Sequence, residues 1–174
     1  MPYGIMETNK LKSFHGKKEI KDKYITRVKV HYKADEIIKG TYWQDGKGCA
    51  VGCTIEGNQH NRYEKELGIP EWLAYLEDTI FEGLPLEKAK RFPLKFLQSI
   101  KVGSDLSLVK PKFLLSTLEN LPKDYKKFPE FKKVVEEVIK ILSLESKGKK
   151  VSNKRKDVAE SAAWSAAWSA AESA

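Results

Sequence analysis

The chain has 174 residues and a net charge of +8, and 41% of its residues are hydrophobic and 10% aromatic. This composition supports one folded domain with a hydrophobic core and a tail, and it excludes a membrane-spanning chain because no apolar run is long enough. The excess of basic residues favours an acidic partner such as nucleic acid, with a merely solvated lysine-rich surface as the alternative. Two cysteines without a disulfide framework, and no signal peptide after Met1, predict a cytoplasmic protein.

The first predicted elements are an extended arm over residues 1–16 and a helix over residues 18–38. Apolar residues at steps of three or four predict this helix, and Gly40 occupies the position typical of a helix end. The apolar face of the helix comprises Ile20, Tyr24, Val28, Tyr32 and either Asp35 or Ile38.

Residues 41–57 break the helical spacing and contain both cysteines. One interpretation is a small β-hairpin around the turn dipeptide Asp45-Gly46, with strands over residues 41–43 and 51–55. The other is a loop at the same place, followed by a short helix that carries Cys49 and Cys53, although glycines lower its helix propensity. The sequence pattern leaves both interpretations open.

The chain from residue 59 to residue 146 shows helical spacing interrupted by glycine and proline. The predicted helices cover residues 61–67, 71–82, 86–100 with a kink or break at Pro93, 112–120 and 130–146. In the second of these, the buried face is predicted to comprise Trp72, Leu73, Leu76, Ile80, Phe81 and Leu84. The carboxylates expected on its solvated face are Glu77, Asp78 and Glu82. The elements together predict a mainly α fold, a compact bundle of about five or six helices with at most one small β-hairpin near 41–55.

Composition divides the chain into a helical globular domain over residues 1–146, a basic linker over 147–157 and an Ala-rich helical tail over 158–174. A basic run of this kind can neutralise phosphates, and a solvated linker is the alternative. The residues predicted to bind nucleic acid or a partner are Lys147, Lys149, Lys150, Lys154, Arg155 and Lys156, followed by Lys21, Arg27 and Lys29 on the first helix.

The tail repeats a four-residue unit of small residues followed by one larger residue. Because four residues slightly exceed one helical turn, Trp164 and Trp168 fall on one slowly drifting stripe. A lone helix of this length is marginally stable in water, so we expect the two indoles to mediate oligomerisation or docking. A frayed helix is the alternative.

The cysteines permit two kinds of chemistry. Cys49 could act as a nucleophile with His31 as its base and Asp35, four residues further on, as the group that orients the imidazole. A small buried cysteine without reactivity is the alternative. A zinc site could be formed by Cys49, Cys53 and His60, with His15 or His31 as a distant fourth ligand. Because this spacing is not the usual zinc knuckle, we predict no metal and no other cofactor.

Three segments carry a resemblance to a known family. They are Ile37–Trp43, Gly46–Thr54 with the sequence GKGCAVGCT, and Tyr63–Ala74. In these segments the chain resembles a family of small uncharacterised proteins of phage and prophage genomes, and members of that family often end in a similar Ala-rich tail. The likeness covers roughly residues 13–110 and the style of the tail, and it transfers no catalytic residue.

The resemblance implies a small cytosolic protein encoded on a mobile element. In that setting a compact protein often blocks a host system such as a restriction or CRISPR effector. We therefore expect a non-enzymatic accessory protein that binds a host protein or ribonucleoprotein, as an anti-CRISPR-like inhibitor that contacts RNA through its basic surface. The alternatives are a small cysteine-dependent enzyme centred on Cys49, and a structural or assembly protein that forms homo-oligomers through its tail.

Overall fold

A computed structural model of the chain describes residues 11–172, with side-chain burial through residue 162. The described part is mainly helical and contains one two-stranded antiparallel hairpin, which confirms the predicted fold class. The chain divides between Leu106 and Ser107 into two compact units, so the predicted 1–146 domain spans both of them. Among the described residues, no helix combines the length and the apolar character that a membrane crossing requires.

Unit 1 is the part before Ser107, and its described residues, 11–106, contain four α-helices and the hairpin. Their bounds are α1 Lys18–Lys33, β1 Trp43–Gln44, β2 Lys47–Gly48, α2 Ala50–Ile55, α3 Glu71–Gly83 and α4 Leu86–Ser99. A 3₁₀ turn at Ser13–Gly16 precedes α1, and a π-helical turn at Tyr63–Leu67 precedes α3. Helix α4 is assigned as one element although Pro93 lies inside it, so the predicted division into two pieces is absent.

Helix α1 ends at Lys33, five residues before the predicted end. Asp35 adopts a left-handed backbone conformation with φ of +56°, which stops the helix without a glycine. The next residues turn towards β2: Ile38 N–H donates to the Gly48 carbonyl at 2.8 Å, and Gly48 N–H donates to the Glu36 carbonyl at 3.0 Å. These hydrogen bonds replace the ones that another helical turn would have formed.

The cysteine region contains both a hairpin and a short helix, but the second strand is Lys47–Gly48, and residues 51–55, which the hairpin interpretation assigned to a strand, belong to the helix. The backbone φ angles of Asp45 and Gly46 are +51° and +79°, as a tight two-residue hairpin turn requires, and this turn pairs β1 with β2. Helix α2 follows directly, and Cys49 is its N-cap residue. All six residues of α2 are buried, so this short helix lies in the core of unit 1.

Helix α3 buries Leu73 and Phe81 as predicted, but the rest of its buried face differs from the prediction. Ile80 is 37% exposed, whereas Glu77 is fully buried and Asp78 is 9% exposed. The prediction of a solvated face is therefore wrong for Glu77 and Asp78, and it is confirmed for Glu82. The buried residues of α3 are Leu73, Ala74, Glu77, Asp78 and Phe81.

Unit 2, the part from Ser107 onwards, contains three α-helices and a 3₁₀ turn. Their bounds are α5 Val109–Glu119, the turn Lys123–Lys127, α6 Pro129–Glu145 and α7 Asn153–Glu172. Helix α6 packs against both α5 and α7, and its buried residues are Val135, Ile141 and Leu142. Helix α7 confirms the helical tail but begins at Asn153, so only the first part of the predicted linker is a loop. The side chains of Trp164 and Trp168 lie outside the described residues.

Candidate functional site

Two of the basic residues predicted in the linker form ion pairs within unit 2. The Arg155 Nη2 atom lies 2.7 Å from Glu137 Oε1, and the Lys156 Nζ atom lies 2.5 Å from Glu145 Oε1. These pairs join α7 to α6. The other four basic residues of the linker are exposed and form no ion pair within the described part of the chain. They are Lys147, Lys149, Lys150 and Lys154.

A groove in unit 2, with a volume of about 540 Å³, brings several of these lysines together. Its charged lining residues are Lys110, Lys149, Lys150, Lys156 and Glu145. Because Glu145 is already paired with Lys156, the groove keeps an excess of positive charge. Its apolar lining residues are Leu108, Pro111, Leu114, Leu142 and Val151. Lys110 was not among the predicted binding residues, and the packing of α5 on α6 brings it to the groove.

The three basic residues predicted on α1 have different environments. The Lys21 ammonium group donates to two backbone carbonyls at the C-terminal end of α4, at 2.9 and 2.6 Å, where a cation complements the helix dipole. Arg27 is mostly buried and lies 3.2 Å from Glu56. Lys21 and Arg27 therefore stabilise unit 1, and Lys29 is the exposed member of this group.

The Cys49–His31–Asp35 arrangement is wrong. Asp35 lies beyond the end of α1, and its Oδ1 atom pairs with Lys90 Nζ at 2.5 Å. His31 instead places Nδ1 at 2.6 Å from Glu36 Oε2. Asp35, which was expected to orient His31, therefore forms an ion pair with Lys90 instead, and the triad is not formed.

Both cysteine thiols are buried and weakly acidic. Burial, followed by the neighbouring Asp78 carboxylate, raises the pKa of the Cys49 thiol well above its ordinary value. Cys49 Sγ accepts a hydrogen bond from the Gly52 N–H at 3.4 Å. Cys53 Sγ donates to the Gly48 carbonyl at 3.3 Å, and burial raises its pKa to about 12. Neither environment stabilises a thiolate.

The described residues do not bring three or more His, Cys, Asp or Glu side chains together in a group that could hold a metal ion. The zinc site considered from the spacing is therefore not formed among them. Its candidate ligands were Cys49, Cys53, His60, His15 and His31.

We expect both thiols to resist alkylation in the native protein. A pKa near 12 reduces the thiolate fraction of Cys53 by about a thousandfold relative to an ordinary cysteine, and burial limits access further. The labelling rate with a small thiol reagent should therefore be at least about a hundredfold lower in buffer than in denaturant. Rapid native labelling of Cys49 would contradict this environment and would support the cysteine-enzyme alternative.

A buried carboxylate in α3 has an unusual environment that the sequence analysis missed. Glu77 accepts a hydrogen bond from the Tyr63 hydroxyl at 2.7 Å through Oε2, while Oε1 has no hydrogen-bond partner within the described part of the chain. Burial, the largest cause, and the adjacent Asp78 raise the pKa of Glu77 to about 8, against the opposing effect of the Tyr63 hydrogen bond. Glu77 is therefore mostly protonated at neutral pH.

Asp78 lies next to a cluster of aromatic rings. His60 Nε2 lies 3.6 Å from Asp78 Oδ2. The His60 ring stacks on Tyr75 with centroids 4.1 Å apart, and it meets the edge of Tyr42 at 5.4 Å. Asp78, Tyr42 and Cys49 also line a cavity of about 220 Å³. The cavity is therefore lined by a buried acid and one half-exposed phenol ring, and the stacked His60 and Tyr75 rings lie next to these two residues.

One sequence signal could have identified the buried acids. Leu73, Glu77 and Phe81 stand four residues apart and therefore share one helix face. A carboxylate between two large apolar residues on the same face indicates a buried acid, although polarity alone predicts that all three carboxylates of α3 face solvent. No comparable spacing links Asp78 to His60, because their proximity depends on the packing of the loop before Tyr63.

Comparison with protein-family models, with curated proteins and with solved structures finds no match to this chain.

Proposed function

We propose that the protein is a phage- or prophage-type accessory protein that binds the RNA of a nucleic-acid-guided host defence complex and thereby inhibits it. The observation that carries the proposal is the groove of unit 2, which collects four lysines around one carboxylate that is already paired. Residues 107–174 also contain fourteen Lys and Arg against nine Asp and Glu. Both features favour a polyanionic ligand.

The groove is better suited to a single strand than to a duplex. Its volume is about 540 Å³, which is too small to accept a double helix but accommodates unpaired bases against its apolar residues. Lysine ammonium groups on flexible stems can follow a backbone of irregular shape, because they bind phosphates as point charges. The backbone would then be held by Lys110, Lys149 and Lys150.

The test is the salt dependence of binding to a fluorescent single-stranded RNA oligonucleotide. The variant that combines Lys110→Ala, Lys149→Ala and Lys150→Ala should bind more weakly and should show a log Kd against log salt slope that is shallower by about 2, since each lost phosphate contact contributes roughly 0.7. Fluorescence anisotropy over a salt series measures both quantities. Lys156 stays unchanged because its partner is Glu145.

A matched control removes the same charge from outside the groove. Lys112, Lys123 and Lys126 are exposed and do not line the groove, so their combined replacement by Ala should leave most of the affinity and slope. If the two triple variants lose equal affinity, the effect is one of net charge, and the groove is not the binding site. If wild-type protein does not bind RNA at physiological salt, the proposal fails.

The inhibitory role needs a test in cells. Bacteria that carry an RNA-guided defence complex should become sensitive to a targeted phage when they express the wild-type chain, and they should remain resistant with the groove variant. The complex should also co-purify with the wild-type chain together with its RNA. Unchanged resistance with both proteins would remove the defence-inhibitor part of the proposal while leaving RNA binding as a separate result.

The two alternative functions receive less support from the geometry. A cysteine-dependent enzyme requires a thiolate, and the surroundings of Cys49 favour the protonated thiol. Oligomerisation through the tail stays a prediction, because the indoles of Trp164 and Trp168 lie outside the described side chains. Light scattering on a chain truncated after Asp157 would test it.

A further inference from the structure

The small cavity of unit 1 has an acidic lining. Its volume is about 220 Å³, and its lining residues are Gly40, Thr41, Tyr42, Cys49, Asp78 and Glu82. Two of these six residues are carboxylates, and none is a lysine, arginine or histidine. The electrostatic effect is visible on the neighbouring groups, since Asp78 is the largest cause that raises the pKa of Tyr42 and it also raises that of Cys49.

Asp78 is buried, and one of its two carboxylate oxygens lacks a hydrogen-bond partner. The residue is 9% exposed, and its Oδ1 atom has no hydrogen-bond partner among the described residues. The other oxygen, Oδ2, lies 3.6 Å from His60 Nε2, which is beyond hydrogen-bond distance, and that nitrogen also lacks a partner in the described part. A buried charge left in this state is costly, and a donor that enters the cavity would satisfy it.

Aromatic rings stand beside this acid. Tyr42 and Tyr75 are 53% and 51% exposed, and His60 lies between them in ring contact with both. The faces of tyrosine rings attract organic cations through the ring quadrupole. An acidic cavity that is lined by the half-exposed Tyr42 therefore combines the two features that recognise an ammonium group.

The ligand chemistry is that of an organic cation rather than a metal ion. The described residues offer no group of three or more His, Cys, Asp or Glu side chains with the arrangement that a metal needs. The cavity also lies below the roughly 300–1,000 Å³ of sites for drug-sized ligands. Its size suits a ligand of side-chain dimensions, with several carbon atoms and one charged end.

We infer that this cavity is a binding site for an alkylammonium group, held by Asp78 and Glu82 and packed against the Tyr42 ring. The ammonium donates to the unpaired oxygen of Asp78, and the alkyl stem occupies the apolar part of the cavity. Two sources carry this group, a free polyamine and a lysine side chain of another protein. This site is independent of the RNA groove, so each can fail without the other.

The test is a titration of the full ¹⁵N-labelled chain with butylammonium chloride, in which NMR detects binding. Butan-1-ol is the neutral probe of the same length. Butylammonium should shift the backbone amide signals of Gly40 and Cys49 in a saturable manner, and butan-1-ol should not. Asp78→Asn should weaken butylammonium binding about tenfold or more, because it removes a charge-assisted hydrogen bond in a buried site.

Two substitutions at exposed positions, one at the cavity and one away from it, keep the test decisive if Asp78→Asn does not fold. Glu82→Gln retains an oxygen for the hydrogen bond from the Gly40 N–H and should weaken binding by about two- to fivefold, because Glu82 is exposed. Glu87→Gln, on the exposed surface of α4, should have no effect. Equal shifts with butan-1-ol, or unchanged affinity in both Glu82→Gln and a folded Asp78→Asn, would overturn the inference.

The source of the ammonium group follows from two further titrations. Putrescine represents a free polyamine, and Nα-acetyl-lysine amide represents a protein side chain. Tighter binding of one than of butylammonium supports the site and assigns its source. If neither shifts the Gly40 and Cys49 signals, the inference is rejected.

Discussion

Replacing Glu77 with Gln should stabilise the protein at neutral pH and should remove a pH-dependent loss of stability that the wild-type chain shows. Burial raises the pKa of Glu77 to about 8 in the folded protein, from an ordinary value of 4.5. Between these two values the folded state holds a proton that the unfolded state has released. The free energy of unfolding therefore decreases as the pH rises from 4.5 towards 8 and is constant with respect to this group outside that range.

Glutamine imitates the protonated acid but cannot ionise. Its carbonyl oxygen can accept the Tyr63 hydrogen bond, and its amide replaces the oxygen that has no partner. The difference in unfolding free energy between Glu77→Gln and the wild type should grow by about 1.4 kcal/mol per pH unit over this range, so that it changes by roughly 3 kcal/mol in favour of the variant between acidic and neutral pH.

Urea denaturation of both proteins between acidic and mildly alkaline pH measures this difference directly. Glu87→Gln, an exposed substitution of the same type, should give a difference near zero at every pH. A Glu77→Gln difference that does not change with pH would mean that Glu77 is ionised in the folded state. The buried environment described for α3 would then be incorrect.

Local signals in the sequence predicted most of the helices and several of their ends. Gly68 ends the turn before it with φ of +61°, and α3 ends at Gly83, as predicted from glycine as a helix-stop residue. The turn at Asp45-Gly46 was also identified from its dipeptide. These features depend on the conformational preferences of single residues, and such preferences can be inferred from the residue type alone.

The errors occurred where a contact with a distant segment decides the structure. Helix α1 stops at Lys33 because the residues after it pair with Gly48 of the hairpin, and Asp35 adopts a left-handed conformation there. Helix α3 rotates its acidic residues inwards because Tyr63 supplies a donor to Glu77. Neither partner can be inferred from the spacing within the helix itself.

The same distinction applies to the two sites. The run of lysines after residue 146 was recognised from its composition, and the structure adds Lys110 from another helix and shows that Arg155 and Lys156 are paired. The cavity of unit 1 was not predicted, because Tyr42, Asp78 and Glu82 come from a loop and from a helix that only the folded chain brings together.

Gly52→Ala should destabilise the protein strongly, whereas Gly83→Ala should stabilise it slightly. A Cβ atom on Gly52 would lie 1.6 Å from the Tyr42 carbonyl oxygen and 2.8 Å from its carbon, so the backbone of one segment would have to move. We expect a loss of about 3 kcal/mol or more, at the upper end of the cost of overpacking. Gly83 has nothing within 4 Å of its Cβ position, so alanine there should add about 0.5–1 kcal/mol.

Urea denaturation, monitored by far-UV circular dichroism, measures the stability of both variants. The two substitutions are the same chemical change in two helices of unit 1. The comparison also tests the cavity. The close approach of Tyr42 to Gly52 holds Tyr42 beside Cys49, and the Cys49 N–H donates a hydrogen bond to the Tyr42 carbonyl at 3.1 Å. A folded Gly52→Ala protein should therefore also bind butylammonium more weakly, while Gly83→Ala should bind it normally. Wild-type stability in Gly52→Ala would show that the Tyr42 carbonyl does not contact α2, and the cavity would then lack one of its walls.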